Sequence, residues 1–150
     1  MYSLVLTLHS WVRWAALLLA VATTFSSLTE RSGFEGRTDR LGLLLVLAVD
    51  VQMLLGLLLY LVLSPFTTAA LRDFGAAMRT PALRFWAVEH SATMILAVVL
   101  VHVGRVLARK AQTPRARRAR QTIAFGLATI AMVAATPWPG LPNGRPLFRL

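Results

Sequence analysis

A few strongly polar side chains interrupt the long apolar stretches of this sequence. They are His9, Arg13, Asp50, Gln52, Glu89, His90 and His102, and they include all three histidines of the chain. Imidazole and carboxylate groups can ligate a metal, transfer a proton or form hydrogen bonds. Because such groups cost several kcal/mol inside a lipid bilayer, each of them is a candidate for function.

His9 and His90 lie at similar depths in the first and third apolar stretches. His9 is a few residues from the N-terminal end of its stretch, and His90 is about six residues from the N-terminal end of its own. At about 1.5 Å of helical rise per residue, these depths agree to about one turn. Diagonal helices of an up-down bundle can present two imidazoles to the two faces of one haem. We therefore predict one haem with His9 and His90 as axial iron ligands. The alternatives are a non-haem metal site and two histidines that only hydrogen-bond neighbouring helices.

Charged and aromatic residues lie at the same level. Arg13 follows His9 by one helical turn, so it can meet either a haem propionate or Glu89. Trp11, Trp14 and Trp86 suit a membrane-interface belt or ring packing at this depth. These residues add Arg13 and Glu89 to the predicted cofactor site.

His102 is a weaker candidate for a cofactor. It follows His90 by 12 residues, about 18 Å along a helix, and is rotated by roughly 120° from it. A second haem would need Met53, Met132 or another group as its opposite ligand, so we predict only one haem.

Asp50 lies near the middle of the second stretch, and Gln52 points to a different face. A carboxylate at that depth is protonated, paired with a cation such as Arg13 or His102, or open to a water-filled cavity. We favour a structural ion pair over a proton relay.

Four apolar stretches position these residues. The chain is 57% hydrophobic and only 15% charged, with a mean hydropathy of +0.64, which excludes an ordinary soluble protein. A helix needs about 20 residues to cross the roughly 30 Å hydrocarbon layer. The runs that approach this length are 5–28, 41–63, 84–107 and 121–137. We predict an all-α integral membrane protein, a four-helix up-down bundle forming one domain over 1–150.

The basic residues lie mainly in two connections between these runs. Loops 29–40 and 108–120 carry most of the excess positive charge, so the positive-inside rule places both in the cytoplasm and both termini outside. Anionic lipid headgroups, rather than nucleic acid, are the expected partners of this charge. The first basic residue, Arg13, lies inside the first run, which favours a retained span over a signal peptide. With no cysteine, the chain has no thiolate ligand or disulfide.

The remaining features are the outer loop, the fourth run and the C-terminal tail. Leu71, Phe74 and Met78 are spaced to form one apolar stripe, which predicts a short interfacial helix in the outer loop. The fourth run is rich in Gly and Ala, as is typical of a packing helix. The proline-rich residues after it predict an extended C-terminal tail.

Three motifs resemble a known group of proteins. They are "LHSWVRW" at 8–14, "QMLLGLLLYLVLSP" at 52–65 and "LRFWAVEHSATM" at 83–94. In this order they are similar to small bacterial four-helix membrane proteins commonly labelled cytochrome b, over most of residues 1–110. The resemblance implies a bacterial inner-membrane haem b electron carrier that shares His9, Arg13, Glu89 and His90. Members of that group carry a histidine at the position of Asp50.

Electron transfer is the function that these residues predict. A quinol or another subunit of a redox complex is the expected partner, and no catalytic constellation is present in the sequence. Two alternatives remain open. One is an accessory subunit of a larger membrane complex without its own cofactor, and the other is a metal-handling or proton-conducting membrane protein.

Overall fold

The structure, a computed structural model, describes residues 1–29 and 35–148. Every regular element in these residues is helical. The helices are α1 (Tyr2–Thr29), α2 (Glu35–Leu58), α3 (Pro65–Arg72), α4 (Phe74–Arg79), α5 (Pro81–Arg84), α6 (His90–Arg109) and α7 (Pro114–Ala135). A π-helical segment at Leu59–Leu63 extends α2, and another at Phe85–Glu89 joins α5 to α6. The all-α class predicted from the sequence is confirmed.

Three helical stretches are long and apolar enough to cross a membrane: Tyr2–Thr29, Gly36–Leu63 and Pro81–Arg109. They contain the first three predicted spans and are longer by one to five residues at each end, except that the second stretch and its predicted span both end at residue 63. The fourth long helix, α7, begins with a strongly basic segment and continues with small residues, which lowers its hydropathy. The three stretches support the prediction of a membrane protein.

The four long helices pack in a ring. α1 contacts α2 and α7, and α6 contacts the same two helices. α1 and α6 therefore face each other across the centre, which is the relation that a shared site between His9 and His90 requires. Phe125 of α7 is fully buried at this centre, where its ring lies close to Gly42 of α2 and Gly104 of α6.

Hydroxyl pairs join α1 to its neighbours in the half of the molecule where α1 ends and α2 begins. Thr24 of α1 bonds Thr129 of α7 at 3.1 Å, and Ser26 bonds Thr38 of α2 at 2.7 Å. Lipid offers no hydrophobic drive for helix association, so close packing and such interhelical hydrogen bonds hold membrane helices together.

Both predicted inner loops are shorter in the structure. Residues 30–34 of the first lie outside the described residues, and the remainder from Glu35 onward belongs to α2. In the second, α6 continues to Arg109 and α7 begins at Pro114, so its later arginines are helical. The oxygen of Thr113 accepts from the amide of Ala116, and proline is favoured in the first helical turn, which together explain this early start.

The outer loop contains the short helices α3 and α4 instead of the single helix with one apolar stripe that the sequence predicted. Asp73 is non-helical and accepts from the amide of Ala76 at 2.8 Å, so it ends α3 and caps α4. Leu71 and Phe74 are exposed, whereas Met78 packs against the buried Ala77. The predicted single stripe is therefore wrong, because the capping propensity of Asp73 interrupts it.

The C-terminal tail folds back instead of extending away. After α7 it turns at Gly140, whose φ of 89° requires glycine, and the amide of Arg145 returns to the carbonyl of Pro137 at 3.0 Å. The Arg145 guanidinium lies 5.1 Å from the ring centroids of both Phe66 and Trp86. These cation–π contacts stabilise the folded-back tail, and the proline content of the tail does not predict them.

Gly104 allows α6 and α7 to approach closely, which gives a direct test of the packing. A Cβ at Gly104 would overlap the Cβ of Ala124, whereas one at Gly126 would meet only Thr24 at an ordinary 3.8 Å. We expect Gly104→Ala to lower the free energy of unfolding by about 1–3 kcal/mol. The matched Gly126→Ala variant should be neutral or slightly stabilising because alanine favours a helix. Thermal unfolding in detergent measures both, and equal stabilities of the two variants would contradict the described α6–α7 contact.

Candidate functional site

His9 packs against α2. A Cβ at Gly56 would lie 3.3 Å from Cε1 of the His9 ring, so any larger residue would require the imidazole to shift by a few tenths of an ångström. One turn earlier on α2, Gln52 contacts Nε2 of His9 with its amide nitrogen at 3.2 Å. The sequence gives Gln52 and Gly56 the spacing of one helical face, and this face receives the His9 ring.

His90 directly follows the π-helical segment Phe85–Glu89. Its backbone amide bonds the carbonyl of Phe85, five residues earlier, which locally widens the helix and rotates the residues after it. The ring of His90 lies 5.5 Å from the Trp86 ring and 5.9 Å from the Phe85 ring. Nδ1 of His90 donates to the carbonyl of Ala135 at 2.8 Å, because a carbonyl can only accept.

His9, Arg13 and His90 lie near enough to one another for their charges to interact. They come from α1 and α6, which face each other across the ring of helices.

Several polar atoms at this site are buried without a hydrogen-bond partner. They are Nδ1 of His9, Nε of Arg13 and Oε1 of Gln52. More than nine-tenths of buried polar groups in proteins are hydrogen-bonded, so three buried atoms without a partner at one site are unusual. Together with Gly56 and His90 these residues form what we call the outer polar site.

Arg13 binds the tail. Its Nη2 donates to the carbonyl of Leu147 at 2.8 Å, and the indole nitrogen of Trp14 donates to the same oxygen at 2.9 Å. The Phe148 ring stacks on Trp14 with centroids 5.6 Å apart and contacts Trp11 at 5.4 Å. The tail thus covers α1 one turn beyond His9.

Glu89 does not pair with Arg13. Its carboxylate forms an ion pair with Nε of Arg84 at 2.7 Å, and both side chains are nearly half exposed. The Arg13–Glu89 pair, one of the two contacts predicted for Arg13, is wrong because Arg84 binds the Glu89 carboxylate. Exposed pairs of this kind contribute at most about 1 kcal/mol, so this pair is a surface feature of the outer end.

Asp50 and His102 pair with each other. Nε2 of His102 lies 2.7 Å from Oδ1 of Asp50, which confirms one of the pairings predicted for this carboxylate. Gln52 contacts His9 instead, so the prediction that Asp50 and Gln52 occupy different faces also holds. The Nε2 atom of His102 is occupied by Asp50, and this arrangement does not resemble a second pair of axial ligands.

Sequence reasoning missed Gly56, the role of Gln52 and the docking of the tail. The one-turn spacing of Gln52 and Gly56 was visible, but nothing in the sequence linked that face to His9. The π-helical segment before His90 has no local sequence signal, and the partner of Arg13 lies 134 residues away.

Comparison with known protein families, with curated proteins and with solved structures found no match. The resemblance to cytochrome b proteins therefore depends on the three motifs alone. Among the residues that the structure describes, no three His, Cys, Asp or Glu side chains come together in a group that could hold a metal ion.

Docking of the tail can be tested with tryptophan fluorescence. In Phe148→Ala the rings of Trp11 and Trp14 lose their cover, so we expect a red-shifted emission and stronger acrylamide quenching. The loss of the ring contacts should cost about 0.5–1.5 kcal/mol. Leu141→Ala is the matched control, because Leu141 belongs to the same tail and is exposed. Unchanged quenching in Phe148→Ala would show that the tail does not cover these rings in solution.

Proposed function

We propose that the protein is a membrane electron-transfer protein that holds one haem b between His9 of α1 and His90 of α6. The observation that carries the proposal is that each imidazole has one nitrogen held by the protein and the other without a partner. Metal-ligating histidines characteristically have this arrangement, because the held nitrogen orients the ring.

His90 fits an axial ligand directly. Its Nδ1 carries the proton donated to Ala135, so in the neutral ring the lone pair is on Nε2. Nε2 has no hydrogen-bond partner among the described residues. Trp86 and Phe85 pack on the ring and limit its rotation.

His9 fits after one local change at Gln52. With the amide nitrogen of Gln52 facing His9, the ring proton is on Nδ1. A half turn of the amide exchanges its nitrogen and oxygen, which are assigned from the hydrogen-bond network. Oε1 then accepts from Nε2 of His9, and the lone pair is on the buried Nδ1. Gln52 is therefore a positioning residue that sets which nitrogen of His9 can ligate.

The number of donors favours a haem over a bare metal ion. Protein metal sites for zinc and similar ions use three or four side-chain ligands. The outer polar site offers two imidazoles, which is the number that a haem needs because its macrocycle supplies the remaining nitrogens. This count argues against the non-haem metal alternative.

When bound, haem b would supply reversible one-electron transfer. His9 and His90 would hold the iron, and the half-buried guanidinium of Arg13 would bind a propionate. The folded tail over Trp14 would restrict the access of water from the outer face. No activity beyond electron transfer is proposed.

The proposal includes a location. Four spans, with α7 as the fourth, would place both termini and the outer polar site on the periplasmic side of a bacterial inner membrane. The arginines of α6 and α7 would then face the cytoplasm and anionic lipid headgroups. A membrane quinone and other subunits of a redox complex are the proposed partners.

Absorption spectra of the purified protein test the haem directly. We expect the oxidised protein to be coloured and to develop the sharp visible α-band of a b-type haem after reduction with dithionite. His9→Ala and His90→Ala should each remove this band because each lacks one axial ligand. His102→Ala is the matched control, since it removes a histidine of α6 that pairs only with Asp50, and it should keep the band. A correctly folded, colourless parent protein would contradict the proposal.

Gln52→Leu tests how His9 is positioned. Leucine cannot accept the Nε2 proton of His9, so we expect the affinity for haem to fall by about 10-fold to 100-fold, as is typical when the partner of a ligating histidine is lost. Haem titration of the apoprotein measures the affinity. Gln52→Glu keeps an acceptor and should retain most of the binding. Equal affinities in parent and Gln52→Leu would show that Gln52 does not orient His9.

A further inference from the structure

The pair formed by Asp50 and His102 is open toward the lipid. The two side chains are 44% and 45% exposed, although both belong to helical stretches that are apolar enough to span a membrane. Asp50 is at the midpoint of Gly36–Leu63, about 20 Å from either end, and His102 is about 10 Å before Arg109. The pair therefore lies between the middle of the membrane and its inner face.

The pair retains hydrogen-bonding capacity that lipid cannot satisfy. Only Oδ1 of Asp50 and Nε2 of His102 are used in their mutual contact. Within the described chain, Oδ2 of Asp50 and Nδ1 of His102 have no hydrogen-bond partner. Hydrocarbon tails offer neither donors nor acceptors, so leaving these atoms uncovered costs free energy.

The surroundings limit what can cover the pair. One turn away, Leu47 and Leu54 of α2 and Val99 and Val106 of α6 are exposed, so the pair lies in an apolar surface between two helices. Phospholipid headgroups do not reach this depth. When His102 is protonated, the imidazolium and the carboxylate of Asp50 balance each other's charge, which favours a neutral ligand over an ion.

We propose that the Asp50–His102 pair binds the head of a membrane quinol or quinone, a neutral ring with hydroxyl or carbonyl groups on an apolar tail. A quinol hydroxyl can donate to Oδ2 of Asp50, and a quinone carbonyl can accept from Nδ1 of His102 when that nitrogen carries a proton. The exposed Leu and Val side chains suit the isoprenoid tail. Binding at this site needs no haem. Only its use as a source of electrons rests on the function proposed above.

Photolabelling tests the site in the full-length protein. The protein is reconstituted in phosphatidylcholine nanodiscs, irradiated with an azido-substituted ubiquinone analogue, and digested for mass spectrometry. We expect the label on the α2 and α6 peptides that contain Asp50 and His102, and we expect excess decylubiquinone to remove it. Asp50→Asn and His102→Gln should each reduce competed labelling by about tenfold, because each weakens a hydrogen bond to the neutral quinone or quinol head.

The matched control is Asp73→Asn, which changes an exposed carboxylate of the outer loop and should leave labelling unchanged. The competition experiment on the parent protein does not depend on how the variants fold. Labelling elsewhere, or labelling that is equal in parent, Asp50→Asn and His102→Gln, would overturn the proposal. A crosslinked dimer of the parent that is lost in both variants would also overturn it, because the pair would then be covered by a second copy. A colourless protein that is still labelled at this pair would end the haem proposal alone.

Discussion

The hydrogen bond from His90 to the carbonyl of Ala135 determines the arrangement of the outer end of this molecule. The last carbonyls of a helix have no partner within the helix, and the residue four positions after Ala135, whose amide a longer helix would use, is Pro139, which has no N–H. In a membrane such a carbonyl would be costly to leave unpaired. His90 satisfies it, and the same bond joins α6 to α7, fixes the proton on Nδ1 and sets where the tail begins.

The other polar contacts of the molecule are arranged around this bond at different depths. At the outer end, His9, Gln52 and Arg13 keep unpartnered buried atoms, whereas toward the inner half hydroxyl pairs such as Ser26–Thr38 are closed. The fully buried Phe125 lies one turn from Thr129 on α7, at the level of these hydroxyl pairs. Structural polar contacts are expected to be fully paired. Of the four buried side-chain atoms that lack a hydrogen-bond partner among the described residues, three belong to the outer polar site, and the fourth is Oε1 of Gln121 in the first half of α7.

Hydropathy predicted the membrane class and the three longest spans, because these depend only on local composition and on length along the helix axis. It could not predict the π-helical segment at Phe85–Glu89, which depends on tertiary contacts. This segment also explains the error at Glu89. In a regular α-helix residues five apart point in different directions, and the widened turn allows Arg84 to reach Glu89. The tail depends on contacts between the two ends of the chain, for which local sequence gives no signal.

The central claim, that His9 and His90 ligate one iron, is tested most directly by electron paramagnetic resonance of the oxidised protein. Two imidazole ligands impose a strong field on a ferric haem, so the account predicts a low-spin ferric signal. A high-spin ferric signal would show that one axial position is open or weakly ligated. That result, or a folded protein without iron, would contradict the claim.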